Sequence, residues 1–185
     1  MSGVRINLGS GHFKLEGWVN VDWDMASRPD ARVDLSGALP FRDGVATLMH
    51  TEDFIDQLDL DGAAFFLSEC HRVLQPGGVL RVLTPDLALV TRLYLEDPQR
   101  LLDLWNRFVG IELKTGTAGE VVNLATRMSG RQFLFDRETL AALARDCGFE
   151  PREVAYQESD IPELRGIDLR SPDDALSLYL DCYRR

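Results

Sequence analysis

The chain has 185 residues, enough for one domain with a real buried core but not for two full domains. Hydrophobic residues make up 45% and charged residues 27%, a globular balance that excludes disorder, collagen-like repeat and coiled coil as descriptions of the whole. With 20 Lys+Arg against 30 Asp+Glu the net charge is −10, poor material for a basic face on duplex nucleic acid or an anionic membrane. A neutral or cationic small molecule is the better match.

No apolar run reaches the roughly 20 residues that a membrane span needs. Met1 to Arg5 leads straight into a short apolar run without the shape of a signal peptide, so a cytoplasmic protein is expected. Cys70, Cys147 and Cys182 lie far apart, with no Cys-x-x-Cys and no zinc spacing. They read as free thiols, and no metal site is expected.

The first half alternates short apolar runs with turn signals. Val4 to Leu8 reads as a first strand ending at Gly9-Ser10-Gly11, Trp18 to Asp22 as a second, Ala31 to Leu35 as a third and Val45 to His50 as a fourth. Ala63, Phe66, Leu67, Cys70 and Leu74 share one face of a predicted helix over residues 60–74. Gln75-Pro76-Gly77-Gly78 stops that helix, and Val79 to Leu83 is a fifth strand. Strands alternating with a helix imply a mostly parallel α/β sheet. Only residues 9–17 separate the first two strands, too few for a crossover helix, so a loop is expected there. Residues 86–113 are helical in pattern, and Thr115 to Gly119 reads as a loop. A capped helix is predicted from Asp136 to Cys147, closed by Gly148. Val154 to Gln157 and Leu176 to Tyr183 read as late strands, with Leu176 to Leu180 a candidate edge for a homodimer.

Two glycines directly after a strand let a ligand approach the backbone at the C-terminal edge of a sheet. A lone Gly-x-Gly is equally an ordinary turn. The third glycine of a dinucleotide fingerprint would fall at Lys14. Asp22 ends the second strand, so its carboxylate can reach the same crevice and accept both hydroxyls of a ribose. It lies eleven positions after Gly11, whereas dinucleotide folds place that acid about 20 residues on, which argues against NAD. Asp34, followed by Leu35, offers an acceptor for an amino group beside an apolar cover for a ring.

Taken together, Asn7-Leu8-Gly9-Ser10-Gly11, Gly17 to Asp22, Asp34-Leu35, Leu39-Pro40-Phe41-Arg42-Asp43 and Glu69 to Val82 resemble a class I S-adenosylmethionine-dependent methyltransferase. The likeness is to the small bacterial branch related to the methyltransferase type 11 domain. Phe133-Leu134-Phe135-Asp136, Leu140 to Phe149, Glu158-Ser159-Asp160 and Leu164 to Ile167 are similar to its later segments. The resemblance implies a Rossmann-like domain over residues 1–185, with a helical insertion after strand five, about residues 86–130, as a substrate lid. It implies S-adenosylmethionine as cofactor, held by Asn7, Gly9, Ser10, Gly11, Asp22, Trp23, Asp34, Leu35 and His50. Arg72 to Gly78 looks structural: helix end, turn and start of the central strand.

Relatives often carry an acid in strand four and then a Glu-His-x-x-Glu-His-Leu segment. Here the acid is replaced by Thr47, and the segment reads Glu52-Asp53-Phe54-Ile55-Asp56-Gln57-Leu58. A further histidine is replaced by Arg131. His50, Glu52, Asp53 and Asp56 are the remaining candidates for proton handling, and Tyr94 and Arg131 for orienting substrate. The resemblance implies methyl transfer to an O- or N-nucleophile of a small molecule, in secondary-metabolite or glycan biosynthesis. Two alternatives stay open: a cofactor-binding protein without catalysis, and cyclisation or elimination chemistry on the same cofactor.

Overall fold

The computed structural model describes residues 3–108, 113–171 and 176–185. The helical expectation for residues 109–112 lies outside these. In chain order the elements are β1 (Val4–Leu8), β2 (Val19–Asp22), β3 (Ala31–Arg32), β4 (Ala46–Glu52), α1 (Leu60–Val73), β5 (Leu74–Pro85), α2 (Leu87–Glu96), α3 (Pro98–Phe108), α4 (Ala118–Ala125), α5 (Arg137–Asp146), β6 (Phe149–Glu153) and β7 (Ser177–Arg184). The strands form one sheet of seven in the order β3-β2-β1-β4-β5-β7-β6. β1 to β5 pair in parallel, whereas β7 runs antiparallel to both β5 and β6.

Several boundaries differ from the sequence reading. β3 keeps only Ala31 and Arg32, which pair with Val21 and Asp22 at the very end of β2, and the Val33 N–H still donates to the Asp22 carbonyl (3.0 Å). β4 runs on past His50 to Glu52, which brings a carboxylate to the strand's C-terminal end. The late strand is Phe149–Glu153 rather than Val154 to Gln157, starting as soon as Gly148 releases the chain from α5. Part of the expected Thr115 to Gly119 loop is the start of α4, whose first turn is closed by a reciprocal Thr117–Glu120 cap. Strand β7, read from sequence as a possible dimer edge, sits inside the sheet between β5 and β6. A strand hydrogen-bonded on both sides has no free edge to offer a second copy.

Helices cover one face of the sheet. α1 buries Ala63, Phe66, Leu67, Cys70 and Val73, and α5 buries Leu140, Ala141 and Ala144, in one core with Ile6, Leu8, Val21, Met49, Leu80 and Val82. Asp59 and Asp136 cap these helices by accepting from the Gly62 and Thr139 N–H groups. Arg72, at the end of α1, donates to the carbonyls of Leu39 and Phe41 and to Asp43 and Glu69, so that the segment is structural, as expected.

The other face is covered by loops. Leu15 and Trp18 from the β1–β2 connection and Leu164 from the β6–β7 connection pack on Leu48 and Val79. Side chains of this face in the middle of the sheet form a polar row. Asn20, Asn7, His50, Arg81 and Asp181 stand opposite one another on β2, β1, β4, β5 and β7, and all five are at most 5% exposed. The row does the work that crossover helices would otherwise do. The Asn20 Oδ1 accepts from the Leu15 N–H (2.8 Å) and from Asn7 Nδ2 (3.0 Å), which fixes the β1–β2 loop on the sheet. Arg81 holds the β6–β7 loop: its Nε donates to Asp168 (3.1 Å), and one terminal nitrogen donates to Asp181 (3.0 Å) and the Glu158 carbonyl (3.0 Å). Buried charges persist only when paired in this way.

No helix among the described residues is long and apolar enough to cross a membrane.

Candidate functional site

The C-terminal ends of β1, β2 and β4 border a cavity of about 550 Å³. After β1 the chain turns sharply, and the N–H groups of Gly9 (2.9 Å) and Ser10 (3.1 Å) both donate to the Val21 carbonyl. Gly9 and Gly11 have φ of +69° and +49°, conformations that L side chains rarely adopt. Nothing lies within 4 Å of the position that a Cβ on Gly11 would take, so the backbone is open to a ligand there. The Gly11 N–H donates to Asp22 Oδ2 (2.8 Å), and the Asp24 N–H donates to Oδ1 (2.7 Å). The last residue of β2 therefore clamps the turn after β1, and each carboxylate oxygen keeps a further lone pair.

His50 lines the cavity from below and is 2% exposed. Asn7 Nδ2 donates to the Phe13 carbonyl and to Asn20, which leaves Asn7 Oδ1 as an acceptor, 2.9 Å from His50 Nδ1. The imidazole thus carries its proton on Nδ1, and Nε2 is a buried lone pair with no hydrogen-bond partner. Burial, reinforced by the Arg81 charge, lowers the pKa of His50 to about 3. Glu52 moves the opposite way. Burial raises its carboxyl to about 7, against the lowering effect of hydrogen bonds from the Leu169 (3.2 Å) and Arg170 (2.8 Å) N–H groups.

A second cavity, of about 470 Å³, lies among α2, α3 and α4. Both cavities are lined by Asp53, Met128, Arg131, Leu169 and Arg170, which therefore form the neck between them. Asp53, with φ of +53°, accepts from Arg170 Nε at 2.9 Å.

The sequence-derived candidates separate on this map. Asn7, Gly9, Ser10, Gly11, Asp22, His50, Glu52, Asp53 and Arg131 line the first cavity. Asp56 is 1% exposed and ion-pairs with Arg131, which also donates to the Ala125 carbonyl (3.1 Å). This pair ties the Ile55–Gln57 turn to the segment before Phe133, and Asp56 does not line either cavity. Trp23, Asp34 and Leu35 do not line the first cavity. Trp23 is exposed beneath the Arg32 guanidinium (3.8 Å), and Asp34 is held by the Ser36 N–H and hydroxyl, which lower its pKa. Leu35 is buried under the glycine turn, 3.7 Å from where a Gly9 Cβ would stand. Tyr94, on α2, is exposed and lines neither cavity. Leu169 and Arg170 were not anticipated. They reach the neck because Arg81 anchors Asp168, just before them in the chain, and no local pattern in the sequence signals that.

No protein-family model matches the chain, and no curated protein matches it. Solved structures do. A SAM-dependent methyltransferase from Methanosarcina mazei is similar over 99% of this chain and 92% of its own, with a TM-score of 0.61 at 15% identity. An S-adenosylmethionine dependent methyltransferase from Mesorhizobium loti is similar over 99% and 91%, with a TM-score of 0.59 at 16% identity. An O-methyltransferase family protein from Burkholderia thailandensis is similar over 98% of this chain but 51% of its own length, with a TM-score of 0.55 at 16% identity. The strand order, the antiparallel β7 and these likenesses agree: the chain has the fold of the class I S-adenosylmethionine-dependent methyltransferases.

Proposed function

We propose that the protein transfers a methyl group from S-adenosylmethionine to an O- or N-nucleophile of a small molecule. The observation that carries this reading is the first cavity. It combines an open glycine turn, a strand-end carboxylate on Asp22 and the unpartnered Nε2 of His50 at one edge of the sheet. These residues suit the cofactor. Gly9 to Gly11 would admit it against the backbone, Asp22 would accept from its ribose hydroxyls, and Asn7 would fix the His50 ring beside it.

The cofactor supplies a methyl group on a sulfonium sulfur, whose carbon–sulfur bond breaks as the bond to the acceptor forms, the electron pair staying on sulfur. The chain then has to align the nucleophile and keep water out. A hydroxyl or ammonium nucleophile must also lose a proton. On this reading Glu52 takes that proton. Its carboxyl ionises at about 7 and is 11% exposed at the end of β4. His50, neutral throughout this range, serves as a fixed hydrogen-bond acceptor rather than as a base. Of the four candidates that the sequence left for proton handling, His50, Glu52, Asp53 and Asp56, this reading selects Glu52.

Calorimetric titration with S-adenosylmethionine and then S-adenosylhomocysteine tests the assignment. Micromolar binding of both is expected, and binding of neither would remove it. Analysis of the spent cofactor separates methyl transfer, which leaves S-adenosylhomocysteine, from elimination, which leaves methylthioadenosine.

A further inference from the structure

The second cavity is much larger than the voids left by ordinary side-chain packing and lies within the size range of small-molecule sites. α3 turns Leu101, Leu104, Trp105 and Phe108 toward it at helical spacing, and Val90 and Val121 close it from α2 and α4. The one polar atom of the Trp105 ring is already used, since Nε1–H donates to the Leu113 carbonyl at 2.8 Å. Among the described lining residues, charged side chains occur only at the neck. Those charges are matched there, Arg131 by Asp56 and Arg170 by Asp53. A charged or many-hydroxyl ligand would lose water inside and gain no partner, at a cost that its burial would not recover. An apolar body gains by entering.

We propose that this cavity takes the body of the methyl acceptor, and that the acceptor is an uncharged, largely apolar ring or short chain with one protic nucleophile directed at the neck. The inference rests on the methyltransferase reading and adds the substrate class to it. It narrows the choice by disfavouring free sugars and small acids, whose polar groups find no charged partner among the described lining residues beyond the neck. It also explains why, among the described lining residues, the charged side chains gather at the neck. The nucleophile meets Asp53 at the neck, with Glu52, held by the Arg170 N–H, on the first-cavity side, while the rest of the molecule lies against the apolar side chains of α2, α3 and α4.

The test uses the full chain with and without saturating S-adenosylhomocysteine, titrated with 1-naphthol, 1-naphthoate and methyl glucoside. Binding of 1-naphthol at least tenfold tighter than 1-naphthoate is expected, with no measurable binding of methyl glucoside. Ala125→Phe, which fills the cavity from α4, should weaken 1-naphthol at least tenfold and leave S-adenosylhomocysteine affinity within twofold. Trp105→Ala removes one wall instead, and should give the same pattern if the filling variant fails to fold. Binding of the glucoside in preference to 1-naphthol would overturn the proposal, as would 1-naphthol affinity that neither variant changes. Failure of the cofactor reading shows separately, as absent S-adenosylhomocysteine binding beside intact, variant-sensitive 1-naphthol binding.

Discussion

His50 Nε2 lies 3.8 Å from Glu52 Oε2, and burial drives the two groups toward neutrality from opposite sides. Between about pH 3 and 7 the pair is an uncharged imidazole beside a largely protonated carboxyl. Above pH 7 the carboxylate forms, held by two backbone N–H groups. Two neighbours whose pKa values are pushed apart are a recurring arrangement at sites that move protons.

Glu52 should give stability a pH dependence of known sign. Its folded pKa, about 7, lies above the ordinary 4.5, so between these values the folded chain binds a proton that the unfolded chain has released. Stability therefore falls as pH rises through this window, by an amount on the order of 3 kcal/mol for this group. Glu52→Gln should flatten the slope. Urea midpoints of both proteins at pH 5 and 8 check this, and equal slopes would show that the carboxyl is not held protonated.

His50 should act at lower pH with the opposite sign. Its folded pKa, about 3, lies below the ordinary 6.5. As pH falls from 6.5 toward 3 the unfolded chain takes up a proton that the folded chain refuses, so stability is lost. His50→Gln removes that titration. The variant should lose less stability than the parent between pH 6.5 and 4.5, as read by thermal melting at the two values.

Most of the glycine turn and the Asp22 clamp was legible in the sequence, because both follow from where a strand ends. The polar row was present there too, as a polar residue within each of five strands: Asn7, Asn20, His50, Arg81 and Asp181. Its meaning was not. Whether a polar residue in a strand is buried depends on its partners across the sheet, and β-pairing register is a long-range property. The missed residues follow the same rule. Arg170 lines the neck through a chain of contacts that starts at Arg81 on β5, far away in sequence. Asp56 and Arg131 looked functional one at a time, and the structure instead pairs them with each other.

The clamp yields a binding prediction. Asp22→Ala removes the acceptor of the Gly11 N–H and, on the proposed reading, of the ribose hydroxyls. Losing a charge-assisted contact of this kind costs about 1.5–3 kcal/mol, or roughly 10- to 100-fold in affinity for S-adenosylhomocysteine. Gly11→Val should also lower that affinity, because a β-branched side chain at φ +49° is strained and would project into the open space above the turn. Calorimetry on both variants is the check, and unchanged dissociation constants would place the cofactor elsewhere.

Arg81 should matter more for stability than any residue of the cavity. Its side chain and those of Asp168 and Asp181 are all fully buried, so Arg81→Met leaves two carboxylates without their cation. Breaking a buried ion pair from one side costs about 3–5 kcal/mol. The loss should not stop at the global fold. Asp168 is the anchor that carries Leu169 and Arg170 to the neck, so the variant should also release Glu52 from its two N–H donors. Hydrogen exchange reads both effects: a lowered unfolding free energy across the sheet, and a larger loss of protection at residues 168–170. If protection there falls only as much as in the core, the β6–β7 loop is held independently of Arg81.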